Sequence, residues 1–507
     1  MCPAPPVTVM FTLRQYADEV SARASTVSWR DAVVLGSIAL IWCLAFSWVP
    51  SVWYDEAATV LASTRTWADL VRMLGTVDLV HGVYYGFMHV WFTLVGYTPF
   101  TLRFPSAVFA ALAVVGTVRL VGSLASRRVA ILSAVVLIVL PRFTLAAVEG
   151  RSYSLTMLLG VLMTIAFVRA IRSAGKRWGL RAWDIYALLA ILASLVFLYL
   201  ALLVVAHLVA LLWLRARGRL SPGILGGFLW RAIPSAVLLL PFVLAAAGQA
   251  SQLAWVASRD GGTFAALLVA EFFPSNVPLA ILGWALAVAG AVLLLRRPAG
   301  AMGAALAIST IAVPVLVLVL VSVTVLPTFV PRYVTFATPA MAVLIAVAID
   351  AIPVRIVRFA SLALVVALAL PSWIVQRTPL GKGSDAAAVA AYVETVDARH
   401  PSESVGIVWG DLARFPDGTA RIVQYGYPTP FAQMSDLTLA TSAAEAGTLW
   451  ETTRPLTIDD LDGIDAVWVI GSSRDARPDD LRLLALGGFT AADQKSFYEL
   501  EAVRFAR

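Results

Sequence analysis

The sequence predicts a polytopic α-helical membrane protein that ends in a small α/β unit, and three observations carry this. The 507-residue chain is 60% hydrophobic with only 14% charged residues, and its mean hydropathy is +0.84. Its apolar residues come in solid runs of ~20, the length at which a helix crosses a ~30 Å hydrocarbon layer. From about residue 376 the runs shorten and acids, prolines and glycines appear, so a different kind of packing begins there. A membrane barrel would instead alternate polar and apolar residues over ~10 positions, unlike the solid runs at 187–214 and 299–325.

Residues 1–32 carry Arg14, Arg23 and Arg30 ahead of the first run at 33–49, which places the N-terminus in the cytoplasm. No small-x-small cleavage site follows that run, so an uncleaved anchor is expected. The first external loop, 51–104, opens on Trp53-Tyr54-Asp55-Glu56 and continues as an amphipathic run over 57–74. It then reaches Asp78-Leu79-Val80-His81-Gly82-Val83-Tyr84-Tyr85. The apolar stretch 84–96 is shorter than the ~17 residues needed to cross, so it is expected to lie in the interface. That choice also keeps Arg127 and Arg128 on the inner side.

Further spans are expected at 105–124, 129–147 and 155–171. The run 187–214 is too long for one span and is expected to fold as a pair turning near Tyr199. Runs at 233–247, 279–295, 304–326, 334–349 and 359–375 complete about eleven transmembrane helices. An odd count puts residues 376–507 outside, as an extracytoplasmic unit on a multi-pass protein of the plasma (inner) membrane. In that unit, helices are expected at 384–398 and 478–486, and strands at 405–409, 464–471 and 496–505.

The net charge of +7 follows from Lys and Arg gathered in cytoplasmic loops, so the lipid bilayer is the partner it implies and no nucleic acid is expected. Cys2 and Cys43 lie in the tail and in the first span, and no bridge between them is expected.

Asp55 and Glu56 stand where a membrane helix must stop. Adjacent acids there can simply end a helix in solvent, but Asp78, His81, Arg103, Glu149, Arg151 and Arg332 fall on the same face in this topology. Ionisable groups gathered at membrane depth are costly and are usually functional. With Asp55, Glu56 and Asp78, His81 offers donors for a divalent metal, although the spacing matches no known ligand motif, so a metal is left open. Each arginine could be an interfacial anchor, or the arginines could together bind a phosphate bidentately. Tyr153 and Tyr333 suit either view, because tyrosine also belts interfaces.

In order, the chain carries the acidic pair after its first helix and His81-x-x-Tyr84-Tyr85 opening a further helix. Leu102-Arg103-Phe104-Pro105-Ser106, Glu149-Gly150-Arg151-Ser152-Tyr153 and Pro331-Arg332-Tyr333 follow. This set resembles the GT-C superfamily of polyprenyl-phosphate-sugar-dependent glycosyltransferases. It is most similar to the branch of protein O-mannosyltransferases, the aminoarabinose transferase of lipid A and actinobacterial mannosyltransferases of envelope lipoglycans. The likeness covers roughly residues 30–375, which it casts as a catalytic module. Members often read His-Pro-Pro where this chain has His81-Gly82-Val83, and Glu-Ala-Arg where it has Glu149-Gly150-Arg151.

The resemblance implies an inverting transfer with Asp55 as general base and Glu56 as its neighbour. It implies Arg103, Arg151, Arg332 and Tyr333 at the donor phosphate, leaving Tyr54, Asp78, His81, Glu149 and Tyr153 for sugar or acceptor. The donor would be a polyprenyl-phosphate sugar, most readily mannose, and the acceptor a glycolipid or glycan. An arabinose donor or a protein Ser/Thr acceptor would use the same chemistry. A lipid donor also fits physically, since an external site cannot reach cytosolic nucleotide sugars and no Gly-rich phosphate loop is present. A transporter is the rival class, but transporters place ion ligands near mid-membrane at broken helices, whereas these groups gather at one boundary.

Overall fold

The computed structural model describes residues 27–173, 179–253, 256, 265–472 and 478–507. Arg14, Arg23 and Cys2 lie outside the described residues. The chain is a multi-pass membrane protein: among the described residues, eight helices are long and apolar enough to span, or nine if one bent pair counts as a single span. Two further helices stand at the first and fifth expected spans. These are α1 (Trp29–Leu44), of 16 residues, and α9 (Gly179–Val196), of 18 residues.

Helix α1 starts at a capping box in which Ser28 and Asp31 satisfy each other's backbone N–H groups. The amphipathic run expected over 57–74 is two helices, α2 (Tyr54–Ser63) and α3 (Trp67–Leu74), because Thr66 caps a new start. Helix α4 (Gly82–Val95) has 14 residues, matching the short interfacial helix expected there. Helix α5 (Pro99–Leu124) begins at Thr98 with Pro99 at its first position, six residues before the expected start.

Helices α6 (Arg127–Val139) and α7 (Pro141–Ala147) are bent by 63° relative to each other. Pro141 has no N–H to continue the ladder. Helix α8 (Tyr153–Arg172) precedes α9, and the break expected near Tyr199 is a 3-10 turn, Leu198–Leu200. Helices α10 (Ala201–Ala216), α11 (Pro222–Gly248), α12 (Val277–Arg296) and α13 (Ala301–Thr324) follow. A 3-10 segment, Pro331–Ala337, leads into α14 (Thr338–Asp350), and α15 (Arg355–Val375) closes the bundle.

Beyond it, helix α16 (Ala386–Asp397) precedes strands β1 (Val405–Trp409), β2 (Asp411–Leu412), β3 (Phe415–Thr419), β4 (Ser435–Asp436), β5 (Leu439–Thr441), β6 (Thr452–Thr453), β7 (Ala466–Ser472), β8 (Thr490–Ser496) and β9 (Leu500–Ala506), five of which form a sheet of order β4-β1-β7-β9-β8. Strand β1 (Val405–Trp409) lies parallel to both β4 (Ser435–Asp436) and β7 (Ala466–Ser472). Strands β8 (Thr490–Ser496) and β9 (Leu500–Ala506) form an antiparallel hairpin on its far side. The strand expected over 496–505 is β9, and β8 ahead of it is a further strand. Strand β8 is almost wholly exposed, so it carries no apolar alternation that sequence could reveal.

The membrane helices share one apolar core. A second core unites α2, α3 and α4 with the sheet: Val60, Leu70, Tyr85 and Met88 pack in one cluster with Val393, Trp409 and Trp468.

Helices α12 and α14 cross with almost no clearance, since a Cβ added at Gly290 would stand 2.0 Å from the Leu344 carbonyl oxygen. Gly290→Ala is expected to destabilise the bundle by about 1–3 kcal/mol, through overpacking. The measurement is the thermal midpoint in detergent; an unchanged midpoint would contradict so close a crossing.

Candidate active site

Asp55 and Glu56 occupy the first turn of α2, where carboxylates favour the helix dipole. Successive helical residues point ~100° apart, and these two have separate surroundings.

Glu56 is fully buried. Its Oε1 accepts from Arg103 Nε at 2.8 Å, the Gly150 N–H at 2.8 Å and Lys382 Nζ at 2.6 Å, and its Oε2 accepts from Arg103 Nη2 at 2.7 Å. Burial alone would raise the Glu56 carboxyl, but Arg103 and Lys382 outweigh it and hold it below the usual carboxylate range. Burial, with Arg103 nearby, pulls the Lys382 ammonium below the usual lysine range. Lys382 also donates to the Val148 carbonyl at 2.5 Å.

Arg103, expected at a donor phosphate, is instead a buried strut. Its remaining N–H groups donate to the carbonyls of Ser47, Pro50 and Ser51. With two bonds to Glu56 and three to carbonyls, all five of its donors are taken. Nothing is left for an anion.

Asp55 faces the other way, with Oδ2 3.0 Å from Arg332 Nη2 and both side chains partly exposed, at 13% and 17%. The Arg332 guanidinium lies 5.5 Å from the Trp53 ring and 6.0 Å from the Tyr333 ring. Arg151 approaches the same turn from the loop after α7. It donates to the Asp55 carbonyl at 3.2 Å, to Tyr85 Oη at 3.0 Å, and lies 3.1 Å from His81 Nε2.

An arginine only donates, so His81 Nε2 accepts. Desolvation, reinforced by Arg151, pushes the His81 imidazole well below its usual pKa, so the ring is neutral. Asp78 holds a left-handed backbone, with φ of 57°. Its carboxylate accepts from Tyr85 Oη at 2.6 Å. The Asp78 and Leu79 N–H groups are held by the side chains of Gln252 and Gln249. Asp78, Tyr85, Arg151 and His81 thus form one connected chain beside Asp55.

Glu149 is buried, and burial raises its carboxyl above the usual range. Its neighbour Gly150 leaves no room for a side chain, since a Cβ would meet Leu102 at 2.5 Å. Tyr153 sits edge-on to Phe197 at 6.2 Å, and Tyr333 stacks on Tyr199 at 5.2 Å. Tyr54, expected to touch sugar or acceptor, is stacked on Phe415 at 4.2 Å and leans on Trp450, both from the sheet unit. Among the described residues no three His, Cys, Asp or Glu side chains are grouped so as to hold a metal ion. Glu56 and Asp78, two of the donors proposed for one, are engaged by Arg103 and Lys382 and by Tyr85.

The sequence matches no protein-family model and no curated protein. Among solved structures the chain is similar to ArnT from Cupriavidus metallidurans bound to undecaprenyl phosphate. That match has a TM-score of 0.52 and 14% identity over 93% of this chain and 97% of that one. Arabinofuranosyltransferase AftD from Mycobacteria matches with a TM-score of 0.49 and 17% identity, over 95% of this chain and 42% of that one. Oligosaccharyltransferase AglB from Archaeoglobus fulgidus matches with a TM-score of 0.43 and 14% identity, over 86% and 69%. The fold is of the GT-C type.

Within this GT-C fold, Lys382 and Phe197 carry no signal in the sequence, while Tyr85 stands in the His81-x-x-Tyr84-Tyr85 motif without an assigned role and Tyr199 marks only the helix break. Lys382 is one of three lysines in the chain, and a lysine between two glycines just past the last span reads as linker. Phe197 is hidden inside an apolar run, although the helix break at Leu198–Leu200 is what turns it toward Tyr153.

The two arginines paired with the acids should behave differently when removed. Arg103→Ala leaves a buried carboxylate short of its main partner and is expected to cost about 3–5 kcal/mol and deplete folded protein. Arg332→Ala, at a pair that keeps some solvent contact, should cost less. Yield of monodisperse protein and thermal midpoints compare them; equal loss in both variants would contradict the division between strut and site.

Proposed function

We propose that the chain is an inverting membrane glycosyltransferase that moves a sugar from a polyprenyl-phosphate donor to a hydroxyl of a cell-envelope glycolipid or lipoglycan. The observation that carries this reading is the Asp55–Arg332 pair at 3.0 Å, with Arg151 donating to the Asp55 carbonyl from the loop after α7. One reachable carboxylate beside two guanidinium groups is what the chemistry requires. The fold shared with ArnT, a protein bound to undecaprenyl phosphate in its structure, supports a lipid-phosphate donor.

In this reading Asp55 takes the proton of the acceptor hydroxyl as its oxygen bonds to the anomeric carbon. The bond from that carbon to the phosphate oxygen breaks, and the electron pair leaves with the lipid phosphate. Arg332 and Arg151 stabilise the charge that develops there. Attack from the face opposite the leaving oxygen inverts the carbon. Arg332 has two uses: the guanidinium that neutralises Asp55 is also the one a phosphate would draw away, so donor binding frees the base.

With its Nε2 engaged by Arg151, neutral His81 carries its proton on Nδ1 and can donate it to a sugar hydroxyl, and Tyr153 and Tyr333, backed by Phe197 and Tyr199, stand beside it. Mannose is the sugar the sequence resemblance favours. Residues 33–375 serve as the catalytic module and 376–507 as an outer unit. With the N-terminus cytoplasmic, Asp55 and the sheet lie on the outer face of the plasma membrane, where a lipid carrier must supply the sugar.

Asp55→Asn should lower transfer from polyprenyl-phosphate mannose by about 10²–10⁴-fold, the contribution expected of a general base, with donor affinity retained. Arg332→Ala should weaken donor affinity. Product formation and binding of the lipid phosphate are measured separately: full turnover in the first variant, or unchanged affinity in the second, would overturn the assigned role.

A further inference from the structure

Lys382 is buried against Glu56, and the transfer chemistry above makes no use of it. Its side chain is 2% exposed. It lies on a strap that runs from the end of α15 to the start of α16. Gly381 permits the tight turn after α15, since a Cβ there would stand 2.5 Å from the Val375 carbonyl oxygen. Gly383 has φ of +67°, which favours glycine.

The strap is pinned on both sides of the lysine. The Ser51 N–H donates to the Pro379 carbonyl at 2.9 Å, and Ser384 Oγ donates to the Val52 carbonyl at 2.8 Å. Asp385 accepts from the Glu499 and Leu500 N–H groups at the start of β9. The strap therefore joins the last membrane helix, the segment leading into the acid pair, and the sheet.

At its centre, Lys382 Nζ bridges two bodies. One contact is to Glu56 Oε1, on the helical turn that carries Asp55. The other is to the carbonyl of Val148, at the head of the loop that carries Glu149 and Arg151. The Gly150 N–H reaches the same carboxylate oxygen, so lysine and loop close on Glu56 together. Base and leaving-group arginine come from these two bodies, and their spacing is set where the bodies meet.

We propose that Lys382 is a positioning residue for the transfer reaction: by bridging the Glu56 carboxylate and the Val148 carbonyl, it fixes the spacing of Asp55 relative to Arg151. It touches no reacting atom and acts through Glu56 and the loop. The proposal rests on the glycosyl-transfer reading.

The test uses the full chain in nanodiscs, with radiolabelled polyprenyl-phosphate mannose as donor and total envelope glycolipid extract as acceptor. Lys382→Met removes the ammonium at similar volume, and Lys382→Gln keeps a neutral donor in case the first variant does not fold. Since a misplacement of ~1 Å can cost ~10²-fold, kcat per folded molecule is expected to fall roughly tenfold or more, with donor KM within about threefold of wild type. A merely structural lysine would lower the folded fraction and leave kcat per folded molecule unchanged, which overturns the proposal. A further arm combines each variant with Glu56→Gln: the two losses should not add, because both act through one contact, and additive losses would also overturn it. Absence of turnover in the wild-type chain would fell the glycosyl-transfer reading itself, whereas wild-type turnover with unaffected lysine variants fells only the role of Lys382.

Discussion

A carboxylate sealed from water must be paired, and Glu56 is sealed completely. Its two oxygens take four donors, drawn from α5, from the loop after α7 and from the strap after α15. These four donors bring three stretches of chain to one point, so a single ion cluster places the helix that carries Asp55. Asp55 precedes Glu56 by one residue and about 100° of helical rotation. Fixing one inward aims the other toward Arg332.

The same point explains why the sheet unit is more than an appendage. Helices α2, α3 and α4 each bury one side and cannot close an apolar core alone. Trp409, Trp468 and Val393 of the sheet unit complete it. Tyr54, beside the acid pair, is gripped by Phe415 and Trp450, and Arg65 and Arg72 donate to carbonyls of the 444–449 segment. The sheet unit and helices α2 to α4 are thus one packed body, and the strap with Lys382 ties that body to the membrane helices.

Much of the frame was legible because bilayer thickness sets run lengths. The spans, the short helix over 82–95 and the break near Tyr199 all follow from counting apolar residues against ~20. The convergence of Asp55, His81, Arg151 and Arg332 was legible too, since sidedness alone places them at one boundary. The division of labour among the arginines was not. Arg103 and Arg332 both stand at the start of an apolar run, and only tertiary contacts make one a strut and the other a partner of Asp55. Strand β8 was missed because an edge strand exposed on both faces has no period to read. The left-handed turn at Asp78 was missed because its cause lies in Gln249, Gln252 and Tyr85, remote or on another helix.

Counting donors and acceptors separates groups that hold the protein together from groups that can act. His207 lies in the membrane core, where an ionisable residue invites a functional reading. Yet its ring nitrogens meet Tyr186 Oη at 2.9 Å and Thr164 Oγ1 at 3.3 Å, and its face stacks on Phe167. It is fully occupied. Arg103 is equally spent, and opening its pair with Glu56 would strand a charge in the interior, at a cost of several kcal/mol. The Asp55–Arg332 pair differs in kind, because both members keep some contact with solvent. A ligand entering from that side can compete for the guanidinium. In the proposed transfer, chemistry therefore falls to the acid whose partner can be exchanged, and the permanence of the other is what keeps that exchange in place.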